Sequence, residues 1–229
     1  VSDAFDPAAI SRLVVRIPNW LGDAVMALPS LAAIRRTFPR STLVVAAPAS
    51  VAPMFEETIA AAPDEVLIVE RRGEAAAIRA GRFDLAILLP NSFRSAWVTR
   101  RGGVPHRWGV SANARGWLLT RRVRRAEKGR HQSARYLALM ESLGITGTDD
   151  VPRVGVTPAT RRRASELLSR HGIDASTPVV GMAPGAAYGH AKRWPPQRVA
   201  DLAGRLGQLG ATCVLVGAGS DRDAGREIE

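Results

Sequence analysis

Four short stretches of this sequence hold residue types that can do chemistry, and each follows an apolar run. The first is Asn19-Trp-Leu-Gly22-Asp23, after the run 13–17. A strand passing through a glycine-containing loop into a helix is how α/β proteins deliver side chains to one edge of a sheet. A carboxylate placed there can serve as a general base if its surroundings lift its pKa toward working pH. The competing reading of Asp23 is a helix N-cap, where the charged form is stabilised and basicity falls. The second stretch is Pro184-Gly185-Ala186-Ala-Tyr-Gly189-His-Ala-Lys192-Arg193-Trp194-Pro195. Its glycines admit close backbone approach, a helix start beyond it offers N–H groups, and Lys192 neutralises charge, so it suits a diphosphate. It matches neither the Walker pattern nor the dinucleotide fingerprint, and an ordinary surface loop remains open as a reading.

The third stretch, Gly217-Ala-Gly219-Ser220-Asp221, fits either nucleotide contact or a simple turn. The fourth is Asn91, Ser92 and Arg94 after the apolar run 83–89, either a polar site at a strand end or a capped helix start. His106, His131, His171 and His190 lack metal-ligand spacing, so no metal is assigned.

The elements that must position these groups alternate. After the opening strand, apolar spacing predicts a helix over 24–37, kinked by Pro29. A strand over 42–47 completes a βαβ unit. The pattern continues with a helix over 50–62, a strand over 65–69, a helix over 74–80, the strand 83–89 and a helix over 96–101. Residues 102–130 are turn-rich and then basic, six Arg and one Lys falling within 115–130. They read as a solvated loop or as an electropositive lip for an anion, with Trp20, Trp108 and Trp194 all in loops. A helix over 131–143, a linker over 144–152 and a helix over 159–171 lead to a second start. That start has a strand over 179–182, a helix over 197–209 and a strand over 211–216. Alternation of this kind predicts a mostly parallel sheet covered on both faces, with a first domain over 1–153 and a second over 154–229.

The 229 residues carry a net charge of +11, which draws anions: nucleic acid, anionic lipid or a phosphorylated substrate. A single cysteine, Cys213, excludes an intrachain disulfide and a cysteine metal cluster. It falls in an apolar run that reads as buried strand. No apolar run approaches the ~18 residues of a spanning helix, and the beginning has no signal pattern, so a cytoplasmic location is expected. The Arg cluster lacks zinc-ligand spacing and RNP-type aromatics, which favours an anion other than nucleic acid. The second half holds too few elements to bury a doubly wound sheet, so a C-terminal domain cut short is expected.

These motifs, in this order, resemble the ADP-heptose:lipopolysaccharide heptosyltransferases, glycosyltransferase family 9, and most closely their type II members. The resemblance rests on Arg16-Ile-Pro-Asn-Trp-Leu-Gly-Asp, Leu89-Pro-Asn-Ser-Phe-Arg-Ser-Ala, Gly103-Val-Pro-His-Arg-Trp-Gly and the Pro184 to Pro195 stretch. It implies a GT-B architecture: two Rossmann-like domains, acceptor on the first and donor on the second. It implies inverting transfer of heptose from ADP-heptose to a Kdo- and heptose-bearing, lipid A-linked acceptor, without an essential metal or other cofactor. Asp23 would take the acceptor proton. Gly185, Ala186, Lys192, Gly217 and Ser220 would meet the donor diphosphate. Asn19, Asn91, Ser92, Arg94 and Arg107 would meet the acceptor, with Arg100 and Arg101 nearby. A monomer at the inner face of the inner membrane is expected. The chain ends before the family's later Asp-Thr/Ser-Gly and His motif, which implies little activity on its own. A non-catalytic nucleotide-sugar or anion-binding module, or a transferase for another acceptor, are the alternatives.

Overall fold

The computed structural model describes residues 5–125, 129–147, 151–173, 176–186 and 190–228. The chain divides into two compact units, Val1–Thr157 and Pro158–Glu229.

The first unit opens with β1 (Arg12–Arg16), whose alternate residues enter two different cores. Leu13 and Val15 join one face and Val14 the other, because successive strand side chains point to opposite faces. The expected helix over 24–37 is two helices, α1 (Leu21–Met26) and α2 (Leu28–Thr37). The break falls at Ala27, and Pro29 occupies the first turn of α2, where its missing N–H costs no bond. Strand β2 (Thr42–Ala47) follows. The helix expected over 50–62 does not form: a 3-10 turn covers Ala52–Glu56 with Pro53 in its first turn, and β3 (Thr58–Ile59) comes next. The β-branched pair Thr58-Ile59 is better suited to an extended ladder than to a helix.

Then come β4 (Glu65–Ile68), α3 (Glu74–Ala80), β5 (Leu85–Leu88) and α4 (Phe93–Arg101). The segment 102–130, read as loop, contains two strands of the main sheet, β6 (His106–Val110) and β7 (Arg121–Val123). Trp108 is therefore not a loop residue. It is buried on β6, with Phe5 and Phe38 packed against its ring. Gly109 beside it is tightly enclosed: an added Cβ would lie 3.2 Å from the Leu88 carbonyl and 3.2 Å from the Arg115 guanidinium. Helix α5 (Gln132–Ser142) and β8 (Val154–Gly155) complete the unit.

The sheet order is β4-β2-β1-β5-β6-β7, every pair parallel. This is the doubly wound arrangement, with the order reversing between β1 and β5. Helices α1, α2 and α5 cover one face, and α3 and α4 the other. Separately, β3 and β8 pair antiparallel, Thr58 beside Gly155 and Ile59 beside Val154. Thr157 adds a backbone N–H donated to Glu57 Oε2 at 2.8 Å. These bonds tie 154–157 to the first unit.

The second unit consists of α6 (Pro158–Arg170), β9 (Val179–Met182), α7 (Pro196–Gln208), β10 (Thr212–Leu215) and α8 (Arg222–Arg226), with a 3-10 turn over Gly219–Asp221. Strands β9 and β10 pair parallel around α7, one βαβ unit. Cys213 on β10 is half-buried, not core. No helix among the described residues is long and apolar enough to cross a membrane.

Candidate active site

In an open parallel sheet the crevice for a ligand forms beyond the strand ends where the order reverses. Here that point lies between β1 and β5, and the loops leaving those strands carry Asn19, Asp23 and Asn91. Asp23 is not a cap. Trp20, in extended conformation, is the N-cap of α1, and Asp23 is the third residue of the helix, half-buried. Among the described residues its carboxylate has no hydrogen-bond or ion-pair partner. Space above Gly22 is open, with no atom within 4 Å of an added Cβ. Tyr136 of α5 feels the Asp23 charge: burial, aided by that carboxylate, pushes the Tyr136 phenol up.

Two buried ionic anchors set the loops around Asp23. Arg16, the last residue of β1, donates from Nε to Glu74 Oε1 at 2.9 Å and from a terminal nitrogen to Asn19 Oδ1 at 2.8 Å. Arg94 reaches the other Glu74 oxygen at 3.2 Å and also donates to the Arg71 carbonyl. One carboxylate thus joins the β1 loop to the start of α4. Arg115 is the second anchor. It is fully buried and donates to the carbonyls of Pro90 (2.6 Å), Ser92 (3.1 Å) and Val110 (2.8 Å) and to Ser95 Oγ (2.9 Å). Burial pulls its guanidinium down to about 10. Although the sequence sets it at the head of a basic run, its place is inside, where backbone oxygens replace water.

The fourth stretch divides. Asn91 lies at the strand edge, its carbonyl accepting from Asn113 Nδ2 at 2.9 Å. Ser92 caps α4, its Oγ accepting from the Ser95 N–H at 3.2 Å, so the capped-helix reading holds for it. Arg107 is at the opposite edge. It sits second on β6, and its guanidinium turns back to the carbonyls of Leu118, Val104 and Pro105. Burial, with the Arg100 charge adding to it, lowers its pKa. Its guanidinium is thus engaged away from the strand edge that carries Asp23.

A cavity opens beside the same edge, about 300 Å³, lined by Val110, Arg124, Arg125, Arg130, Arg135 and Leu139. A smaller one of about 30 Å³ continues it past Asn91 and Tyr136. The basic run after Arg115 therefore includes cavity wall as well as edge strand, and this cavity fits an anionic ligand.

In the second unit, Lys192 and Trp194 line a cavity of about 210 Å³ at the end of β9, with Met182, Pro184 and Val199. Arg193 pins the loop by donating twice to the Ala186 carbonyl, at 2.7 and 3.2 Å. A second cavity, about 410 Å³, runs along Pro184 and Val216 to Gly219. Asp221 lies against both glycine loops. A Cβ on Gly185 would fall 2.3 Å from the Asp221 carboxyl carbon, and that carboxylate accepts the Ala218 N–H at 2.9 Å. Glycine at 185 thus makes room for a protein carboxylate. Ala187 to Gly189 lie outside the described residues, as does the side chain of Ser220. No group of three or more metal-ligand side chains occurs among the described residues.

The sequence model of glycosyltransferase family 9 (heptosyltransferase) matches residues 72–229. The chain belongs to this family. It is 34% identical to lipopolysaccharide heptosyltransferase 2 of Escherichia coli strain K12 over 230 residues, covering 95% of this chain and 66% of that protein. The chain thus spans about two thirds of the length of the curated relatives it matches. Among solved structures, E. coli ADP-heptose lps heptosyltransferase II is 29% identical with a TM-score of 0.79, covering 95% of this chain and 67% of that one. The glycosyl transferase family 9 structure from Veillonella parvula DSM 2008 shares the fold, with a TM-score of 0.82 at 24% identity over 99% of this chain and 68% of that one. The fold class of this family member is α/β, of the GT-B kind, with a Rossmann-like sheet in the first unit and a βαβ start of another in the second.

Glu74, Arg115 and Tyr136 are the site residues that sequence reasoning missed. Only Arg115 left a signal: Gly116-Trp-Leu-Leu, an apolar run, separates it from the arginines that follow.

Proposed function

We propose that the protein is an inverting heptosyltransferase, moving L-glycero-D-manno-heptose from ADP-heptose to the heptosyl-Kdo inner core of lipopolysaccharide. The observation that carries this reading is the unpartnered Asp23 carboxylate at the switch point of the first unit, in a chain of family 9. An acceptor hydroxyl must lose its proton as it attacks the anomeric carbon, and a carboxylate free of partners can take it. Asn19 and Asn91 hold acceptor hydroxyls, and Arg94 with the cavity arginines meets its phosphate and carboxylate groups. On the donor side Lys192 offsets the charge that grows on the departing ADP, aided by backbone near Gly185, Ala186 and Gly217. Asp221 fixes the spacing of those two loops. No metal is given a role. The first unit, with the boundary expected at 153, serves the acceptor and the second the donor. The protein works as a monomer at the inner face of the inner membrane, where its lipid-linked acceptor lies.

Asp23→Asn and Lys192→Ala test the assignment. Asp23→Asn should lower transfer by about 10²–10⁴-fold while ADP binding, followed by calorimetry, stays as in the parent. Lys192→Ala should weaken ADP binding instead. Full turnover by Asp23→Asn would sink the assignment of the base, whereas ADP binding that depends on Lys192 without any transfer that depends on Asp23 would leave a nucleotide-sugar-binding module as the better reading.

A further inference from the structure

Helix α4 has two contrasting faces. Ser95, Ala96, Val98 and Thr99 are buried against the sheet. Phe93, Arg94, Trp97, Arg100 and Arg101 point outward, a single stripe at helical spacing. Phe93 and Trp97 stack with centroids 6.2 Å apart and planes 17° from parallel. Trp117, from the 3-10 turn Gly116–Leu118, stands 6.3 Å from Phe93, and the Arg100 guanidinium lies 5.2 Å over its ring. These three aromatics are 42%, 41% and 58% exposed. Single exposed apolar residues are common on protein surfaces, but a contiguous aromatic group marks a contact surface.

The charge around the group points to its partner. The stretch 85–126 holds nine arginines and neither Asp nor Glu. Glu74, the carboxylate that meets α4, is buried and already shared by Arg16 and Arg94. Tryptophan rings settle at the headgroup level of a bilayer, and arginines beside them bind lipid phosphates. Single-stranded nucleic acid needs open ring faces for base stacking, whereas Phe93 stacks on Trp97 and Arg100 covers Trp117.

We propose that the outer face of α4, together with Trp117, docks on an anionic lipid bilayer. The proposal deepens the membrane-facing part of the proposed function and rests on it. Helix α4 begins directly after Asn91 and Ser92, at the strand edge that carries Asp23, so the Phe93 end of the docking face adjoins the acceptor loops.

Cosedimentation of the chain with vesicles of phosphatidylcholine, alone or with about 30% phosphatidylglycerol, tests it. The parent should bind the anionic vesicles and not the neutral ones. Arg100→Ser with Arg101→Ser should weaken that binding roughly 30-fold, from about fivefold per basic residue removed at the surface. Trp97→Ser with Trp117→Ser should weaken it by about tenfold or more. Brominated lipids should quench the parent's tryptophan fluorescence and quench the double tryptophan variant less, a readout that circular dichroism can pair with proof of folding. Equal binding to both vesicle types, variants that bind like the parent, or a dimer broken by the tryptophan changes would each overturn the proposal. Vesicle binding by a chain that does not bind ADP would leave the docking face standing and sink the donor-binding reading. Turnover of a soluble acceptor without vesicle binding would do the reverse.

Discussion

Glu74 is a carboxylate with an arginine on each oxygen, and its side chain is only 5% exposed. Glu74→Gln keeps the shape but removes the charge that balances buried Arg16. Breaking a buried pair from one side typically costs 3–5 kcal/mol; because Arg94 is nearly half exposed, about 3 kcal/mol is expected, measured as a shift of the urea midpoint. A variant as stable as the parent would remove the ionic anchor from the account. Ser30 is the opposite case. Its Oγ is buried without a partner among the described residues, so Ser30→Ala should leave stability unchanged or raise it by up to about 1 kcal/mol, read in the same titration. Asp23 was legible in the sequence because its neighbours in the chain, Gly22 and the apolar run before it, announce a strand-loop-helix. Glu74 and Arg115 were not. Glu74 meets Arg16 across 58 residues and Arg115 meets Pro90 across 25, and no local pattern encodes partners that distant.

Among the elements, the strands with continuous apolar runs were legible and β6 was not. His106-Arg-Trp-Gly-Val carries one aromatic and one aliphatic residue, and its place inside the sheet depends on Gly109 fitting between Leu88 and Arg115. Helix α2 shows what proline does when it falls one turn into a helical pattern: the chain ends one helix and starts another. The loop between β6 and β7 holds Asn113 and Ala114 both in the left-handed region, φ 51° and 57°, and Arg115 secures it. Arg115→Met should free the carbonyls of Pro90, Ser92 and Val110 and cost about 2 kcal/mol, with amide exchange in 90–95 rising ahead of the rest of the sheet. The start of β2 carries a pH response. Burial works to raise the Asp64 pKa, but the Arg35 guanidinium and the Leu43 N–H outweigh it, and the net shift is downward from 3.8. A carboxylate held low in the folded state contributes stability above its unfolded pKa and loses it as pH falls through the folded value. Asp64→Asn should therefore lower stability at neutral pH, where that contribution is fully present, and flatten the further loss as pH falls below 3.8.

For the whole molecule, apolar burial is unevenly divided. The buried aliphatic and aromatic residues fall almost wholly within 10–145; among the described residues of the second unit only Val199 and Ile228 join them. Leu209 there is 82% exposed. Amides of β9 and β10 should exchange orders of magnitude faster than those of β1 and β5 in mass-spectrometric hydrogen exchange. Equal protection of the two pairs would contradict this. The parallel sheet covered on both faces followed from alternation in the sequence, but the pairing of β3 with β8 did not, because a two-residue strand leaves no periodicity to read. That short ladder between β3 and β8 has a mechanical meaning. Any pull that enters the first unit through Pro158 reaches two paired residues and the Thr157–Glu57 bond before it reaches the sheet. Under load that ladder should therefore give way first, lengthening the chain while the strand edge around Asp23 keeps its shape, an order that forced unfolding from the Pro158 side would reveal.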